Sequence, residues 1–201
     1  PIWVRITRVT PADWPRWSQW LESYRYEDAN RPPLPGVPVA DTVVKIAGSP
    51  DALTETAVDL APYLREGTGQ LLLFVEPTVQ PKERWNRQEW YGWVQVTHVG
   101  LTAIVDGTDV YGWATDLRDG RGLGGASLSL DRGAPARTDA AGLGKLALPA
   151  DEAAEILVAT VGSDVAILPH DPYAWGGGGW MRSERLDEVA WYVADDRHLY
   201  R

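Results

Sequence analysis

The side chains best suited to chemistry in this chain are three histidines, His98, His170 and His198, and there is no cysteine. None of the histidines stands in the His-x-x-x-His or HExxH spacing of a helical zinc site. The lack of cysteine removes thiolate catalysis, disulfides and cysteine-ligated zinc. His98 shares strand parity with Val94 and Val96, which is typical of a core or rim histidine. We therefore expect no metal site and no catalytic histidine.

Four aspartates lie close together in the sequence, Asp106, Asp109, Asp116 and Asp119, and could supply oxygen ligands to Ca²⁺. Two of them precede glycine, and the four are better explained as turn-forming residues on two β-turns. The glycines at 176–179 lack the Lys-Ser/Thr that follows a phosphate-binding loop, and no Gly-x-Ser-x-Gly nucleophile elbow occurs. The sequence thus predicts a protein that is not an enzyme and that holds no cofactor.

Composition excludes further classes of function. The 201 residues carry a net charge of −9 and a pI near 4.8, so the basic surface of a nucleic-acid-binding protein is missing. No run approaches the roughly 18 apolar residues that a membrane-spanning helix needs. Eleven tryptophans against one phenylalanine indicate that Trp fills core and interface positions. An aromatic platform for sugar rings is the alternative interpretation.

A strand pattern that begins with Trp occurs three times, at 3–9, 93–99 and 191–199, with spacings of about one small domain. These spacings predict two consecutive β-domains, at 1–90 and 91–170. A connector rich in Gly and Trp follows at 171–190, and the first strand of a further domain at 191–201. Because this last pattern stops at Arg201, we expect the chain to be part of a larger parent protein.

The first unit is predicted to combine strands with one short helix. Alternation at 2–9 indicates a half-buried strand, and Thr10-Pro11-Ala12-Asp13 signals a helix near 11–24 that lays a Trp stripe on the sheet. Four prolines within 30–38 predict an extended crossing. Further strands are expected at Thr42–Ala47, Thr54–Leu60 and Gln70–Val75, followed by a polar loop at 77–90.

The second unit has the pattern of an antiparallel β-sandwich, with about seven short strands separated by turn signals. The strands are expected at 93–98, 101–105, 110–115, 126–130, 145–148, 156–161 and 165–168. In the run Thr-Asp-Ala-Ala-Gly-Leu, Asp139 is expected to begin a hairpin turn by bonding its own backbone, and Gly142 to supply a positive φ.

Several segments, taken in order, resemble the bacterial α2-macroglobulin family. They are Val94–Ala103, Trp113–Leu117 through Gly120, Gly124–Ala126, Thr138–Leu143 and Trp191–Arg201, together with Pro38-Val39, Val58–Leu60, Gly69–Leu71 and Val75–Pro77. The resemblance implies a mainly β chain of two tandem macroglobulin-like domains. These are antiparallel sandwiches of the immunoglobulin and fibronectin kind, the first with one short helix. It also implies a parent that is periplasmic or extracellular, with a lipid anchor at its N-terminus as one option.

Members of that family trap proteases. A protease cuts an exposed bait segment, the domains rearrange, and a Cys–Gln thioester can tether the protease. Without cysteine, these residues cannot hold the thioester. The resemblance therefore implies a non-catalytic scaffold within a broad-spectrum endopeptidase inhibitor. Its partners would be the parent's other domains and, through the parent, the target proteases.

Aromatic residues in the inter-domain segments are the candidate contacts between domains, because they combine apolar area with few rotamers. They are Trp85, Trp90, Trp175, Trp180 and Trp191. Two other functions stay open. A carbohydrate-binding β-sandwich module would need coplanar exposed Trp rings on one face, and an Ig-like surface stalk or adhesin would need further repeats.

Overall fold

The computed structural model describes residues 1–26, 32–48, 53–170 and 180–182. In this part of the chain the fold is mainly β, with antiparallel sheets and one short α-helix, as predicted. The predictions for the glycines at 176–179, Trp175, Trp191, His198 and the strand at 191–201 lie outside the described residues. No helix among the described residues is long and apolar enough to cross a membrane.

The first unit is built on a four-stranded antiparallel sheet with the order β2-β1-β3-β4. Its strands are β1 (Ile2–Val9), β2 (Val37–Val44), β3 (Gly69–Pro77) and β4 (Trp90–Val96). The central strand β3 carries apolar side chains on both sides, because both faces of the sheet are covered, whereas β1 alternates aliphatic side chains with Arg5 and Thr7. Val4 and Ile6 face one layer, whereas Val9 faces the other.

The helix α1 (Trp14–Tyr26) covers one face of this sheet. It follows a 3₁₀ turn, Pro11–Asp13, in which the Asp13 carboxylate accepts hydrogen bonds from the backbone N–H and the hydroxyl of Thr10 at 2.9 and 3.0 Å. These bonds fix the helix start that the sequence predicted. Trp17 and Trp20 are buried and stacked, with ring centroids 5.1 Å apart.

Residues 53–64 cover the opposite face of the sheet. Val58, Leu60, Tyr63 and Leu64 pack against the apolar side chains of β1 and β3. The strand predicted at Thr54–Leu60 does not form, although burial does alternate along it. The alternation correctly identifies the inward residues, but they rest on a sheet face and pair with no neighbouring strand.

The second unit is a sandwich of two antiparallel sheets, with the orders β11-β10-β7-β8 and β5-β6-β9. Its strands are β5 (Val99–Asp106), β6 (Asp109–Asp116), β7 (Ser127–Leu130), β8 (Ala136–Arg137), β9 (Leu143–Ala147), β10 (Ile156–Val161) and β11 (Asp164–Pro169). The inner faces meet in one apolar core that includes Val110, Leu128, Leu146 and Leu157.

The strand predicted at 93–98 belongs to the first sheet and not to the second unit. β4 pairs with β3 from Gly69–Val96 to Val75–Trp90, so the predicted boundary between residues 90 and 91 falls inside β4. Trp3 and Trp93 therefore lie in one sheet, on the same face. Two strands of one sheet that face the same layer have similar sequence patterns, as do the first strands of two repeated domains. Periodicity alone cannot distinguish one sheet from two repeats.

The predicted hairpin turn at 138–143 is present. The Asp139 carboxylate accepts hydrogen bonds from the backbone N–H groups of Ala141 and Leu143 at 2.9 and 3.0 Å. Gly142 has φ +85°, and a Cβ at this position would lie 2.3 Å from the carbonyl oxygen of Ala114. The turn therefore requires glycine on both grounds.

Candidate functional site: the interface between the two units

The chemically capable side chains of the described residues do not converge. The Nδ1 atom of His98 lies 3.4 Å from the Asp164 carboxylate, and His170 packs edge-to-face on Trp180, with ring centroids 5.4 Å apart. In the described part of the chain no group of three or more His, Asp or Glu side chains could hold a metal ion.

Three of the four aspartates singled out in the sequence, Asp109, Asp116 and Asp119, have separate local partners. Asp109 accepts hydrogen bonds from Thr108 and Lys145, and Asp116 is bound by the Arg118 side chain and backbone N–H. These bonds hold the pKa of Asp109 and, more strongly, the pKa of Asp116 below the ordinary aspartate value. Asp119 accepts a hydrogen bond from the backbone N–H of Arg121. These groups order surface turns.

The candidate contact tryptophans occupy different environments. Trp85 is 83% exposed and Trp90 is 54% exposed, and their role as contacts to further domains stays a prediction. Trp180 is 8% exposed and packs in the core of the second unit, where its backbone forms a two-way bridge with Ala154. It therefore contributes to the sandwich itself.

Three exposed tryptophans in the described strands, Trp3, Trp90 and Trp113, do not together form the platform that a sugar-binding module needs. Trp3 and Trp90 lie on opposite faces of the first sheet, as their pairing with Glu76 and Val75 shows. Trp113 lies in the second unit. These three rings therefore share no surface.

Two other tryptophans, Trp14 and Trp93, form the apolar centre of the interface between the units. Their ring centroids are 5.2 Å apart, and they pack against the outward side chains of Ile156, Val158 and Ile167 in β10 and β11. These three aliphatic residues are 1%, 9% and 3% exposed, although they point out of their own sandwich. The first unit therefore buries these three outward side chains of the second unit.

Gln70 links both units through one buried amide. It is 4% exposed, its Nε2 donates to the carbonyl oxygen of Val165 at 2.7 Å, and its Oε1 accepts a hydrogen bond from Trp93 Nε1 at 2.7 Å. Because Trp93 is part of the apolar centre, Gln70 holds the indole and the second unit in one geometry. Without Gln70, the Val165 carbonyl oxygen and the Trp93 Nε1–H would each lose this hydrogen-bond partner.

Gln95 binds the edge of the second unit. β11 is an edge strand, so part of its backbone has no strand partner. The Gln95 side chain accepts a hydrogen bond from the backbone N–H of Ile167 at 3.0 Å and donates to the carbonyl oxygen of the same residue at 3.1 Å. A single amide thus satisfies both backbone groups of one edge residue.

The connection between the units is short and fixed. Only Thr97 and His98 separate β4 from β5. The Asp164 carboxylate accepts hydrogen bonds from the Thr97 hydroxyl at 2.7 Å and from the backbone N–H of His98 at 2.8 Å. On the other side, the backbone N–H of Leu117 donates to the carbonyl oxygen of His98 at 2.8 Å. A linker held from both sides has little freedom to act as a hinge.

Two outer contacts and a cleft border the interface. Ser18 donates to Glu155 at 2.9 Å, and Ser163 donates to Glu66 at 3.4 Å. Glu66 has a φ of +52°, which is unusual for a residue other than glycine.

The cleft beside the interface has a volume of about 970 Å³. Its lining carries charges of both signs and so indicates no single ligand class. The charged lining residues include Arg8, Asp13, Arg16, Arg65 and Glu66.

Sequence reasoning found the region of the interface and missed its role. Gly69–Leu71 and Val94–Ala103 carry the family resemblance, and they contain Gln70 and Gln95. The available signal was polarity. Gln70 is buried on β3, on the face that α1 covers, and Gln95 lies opposite it on β4 at an exposed position. A buried polar residue such as Gln70 predicts a specific partner.

Comparison with solved structures identifies the fold. The chain is similar to native alpha-2-macroglobulin from Escherichia coli spanning domains NIE-MG1, with a TM-score of 0.61 and 19% identity over 84% of this chain and 82% of that one. A structure of the same protein spanning MG0-NIE-MG1 gives 0.58 and 17%, over 85% of this chain and 55% of that one. No protein-family model and no curated protein matches.

At these identities the likeness establishes the fold. The likeness confirms the mainly β fold with antiparallel sheets that the sequence resemblance implied. The second unit is a sandwich of two sheets, whereas the first is one sheet covered on both faces. The chain spans about half the length of the longer E. coli fragment, which begins with a further domain.

Proposed function

We propose that this chain supplies two scaffold domains of a bacterial α2-macroglobulin-like protein, and that the two units move as one rigid body. The observation that carries the proposal is the hydrogen-bonded interface formed by Gln70, Gln95 and Asp164 around an apolar centre. The fold likeness to two consecutive domains of the E. coli protein supports the family context.

Rigidity has a mechanical meaning in a trapping protein. Cleavage in one place must move domains elsewhere, and a flexible joint between the two places would dissipate that movement. Relative motion is the default for adjacent domains unless their interface is extensive and specific. The two-residue linker and the fixed glutamine contacts oppose such motion. The two units would therefore transmit a movement, or enclose the protease, as one rigid piece.

The remaining parts of the proposal concern the parent polypeptide. Its partners are target proteases, its place is the periplasm or the outside of the cell, and the residues described here take no part in bond cleavage. The separated histidines and locally paired aspartates support a non-catalytic role.

The experiment is a trapping assay on the parent polypeptide. A trapped protease keeps its activity on a small peptide substrate and loses it on a large protein substrate. With the native parent, we expect the protease to keep its activity on the small peptide and to lose it on the large protein. With Gln70→Ala/Gln95→Ala, we expect a several-fold smaller fraction of trapped protease. Gln19→Ala changes an exposed glutamine on α1 and serves as the matched control. Equal loss of both activities, or no loss of either, would contradict the trapping proposal.

A further inference from the structure

The outward face of the β5-β6-β9 sheet carries exposed apolar side chains in two adjacent rows. Register places Thr102, Trp113 and Leu143 side by side in one row and Ile104, Tyr111 and Lys145 in the next, with Asp106, Asp109 and Ala147 in a polar end row. Ile104 is 71% exposed, Trp113 45% and Leu143 44%. We call this surface the β6 face. In a sandwich the outward positions of a solvated sheet are normally polar, so this row requires an explanation.

The other sheet of the same sandwich provides the comparison. Its outward positions are aliphatic at Ile156, Val158 and Ile167, where the first unit covers them. On the adjacent strand β7 the outward positions are Ser127 and Ser129. In this sandwich, the outward aliphatic side chains of one sheet therefore lie where another unit packs. The β6 face has the same character and no cover among the described residues.

The last described residues, 180–182, lie beside one end of this face. The backbone N–H of Arg182 donates to the carbonyl oxygen of Pro149 at 2.9 Å, just beyond the end of β9. The charge of Arg182 also acts on Asp109, which pairs with Ala147 in the polar end row of the same sheet face. Arg182 thus lies next to the row that contains Ile104 and Tyr111.

We propose that the β6 face is the docking surface of a neighbouring β-domain of the same polypeptide, which covers Ile104, Trp113 and Leu143 with aliphatic side chains. The inference rests on the proposed function, because it requires the parent polypeptide. Its occupant is packed as the first unit is packed on β10 and β11. The position of Arg182 beside the face favours a domain of the same polypeptide as the occupant.

Because the 201 residues contain no cysteine, an introduced cysteine is the single thiol of this chain, and in the parent polypeptide its labelled peptide is identified by mass spectrometry. Ile104→Cys is labelled with a maleimide in the 201-residue chain and in the parent polypeptide. Thr102→Cys serves as a second probe of the same face, and Val43→Cys, at an exposed position in β2, serves as the control. We expect labelling on the β6 face to slow by about tenfold or more in the parent, with the control rate unchanged.

Equal labelling rates in the two proteins would overturn the inference. Protection that already appears in the 201-residue chain and grows with its concentration would assign the face to a second copy. Protection only upon addition of soluble oligosaccharide would assign it to glycan. Both results contradict a neighbouring domain. Trapping without protection removes this inference alone, whereas protection without trapping removes the protease-trapping function and leaves the docking surface.

Discussion

Gln70 has more influence on the structure than any residue whose type suggests catalysis. It is the buried partner of both Trp93 and Val165, in two different units. In water these groups would bond to solvent, so the net value of each bond is modest. The cost of leaving both without a partner is larger. The interface is therefore more sensitive to truncation of this side chain than to loss of an exposed contact.

Gln70→Ala is expected to lower the free energy of unfolding by about 2–4 kcal/mol, because two buried polar groups lose their partners. Urea unfolding followed by tryptophan fluorescence measures the change. Gln19→Ala, on the exposed side of α1, is expected to change it by less than about 0.5 kcal/mol. Similar values for the two variants would show that the Gln70 bonds do not form.

Asp116 gives a prediction about pH. Hydrogen bonds from Arg118 lower its pKa in the folded protein, so the folded state binds this proton more weakly than the unfolded state. The stabilisation is then fully present above the unfolded aspartate pKa of about 3.9 and is lost as pH falls through the folded value. Asp116→Asn should be less stable than the native chain at neutral pH, with a difference that shrinks in acid.

Urea unfolding of the native chain and of Asp116→Asn at several pH values measures this difference. Arg118→Gln and the double variant complete a thermodynamic cycle, in which the two single effects should not add. A difference in stability that stays constant from neutral to acidic pH would contradict the assigned role of the carboxylate.

At the scale of the element, the turn at 65–68 carries strain. Arg65 and Thr68 exchange backbone hydrogen bonds at 3.0 Å, and both central residues, Glu66 and Gly67, have positive φ. That is the geometry of a type I′ turn, which favours Asn-Gly. Glu66 is retained there although its bond to Ser163 is long, at 3.4 Å.

Glu66→Asn is expected to raise the free energy of unfolding by about 0.5–1 kcal/mol, since Asn adopts the left-handed region more easily than Glu. Thermal unfolding measures the change. Ser163→Ala removes the same inter-unit bond without altering the turn, and should be nearly neutral. A Glu66→Asn variant that is less stable than the native chain would show that the carboxylate contact outweighs the strain.

The segment at 180–182 is a second element whose role differs from its sequence pattern. Trp180 lies beside a run of glycines, which suggests a linker, yet its side chain is buried in the sandwich. Trp180→Ala is expected to lower the free energy of unfolding by about 3–5 kcal/mol, as large aromatic truncations in cores do. Calorimetry of this variant beside Trp85→Ala, an exposed control, tests it; equal midpoints would contradict the core assignment.

Elements with a regular pattern could be predicted from the sequence, and their neighbours could not. The alternation in β1, the helix start at Thr10–Asp13 and the turn at Asp139–Gly142 are local, so the sequence determines them directly. The assignment of β4 to the first sheet depends on its pairing with β3, and the cover formed by residues 53–64 depends on what they face. Those are contacts between distant residues, which periodicity does not contain.

At the scale of the whole molecule, the interface explains why two units with separate cores form one object. The first unit buries an aliphatic row of the second, its glutamines bind the free edge of β11, and the linker is fixed by Asp164. The sequence indicated two units but gave no relation between them. The role of Gln70 and Gln95 is evident only from the packing of β3 and β4 against β11, whose backbone both side chains bind.

The most direct test of the rigid two-unit scaffold is a measurement of residual dipolar couplings for backbone amides of the 201-residue chain. Amides of residues 1–96 and of residues 99–170 are fitted separately. If the two units form one rigid body, both sets of amides share one alignment tensor in the native chain. In Gln70→Ala/Gln95→Ala we expect two different tensors. Different tensor magnitudes or axes in the native chain would show that the units move independently, and would contradict the account.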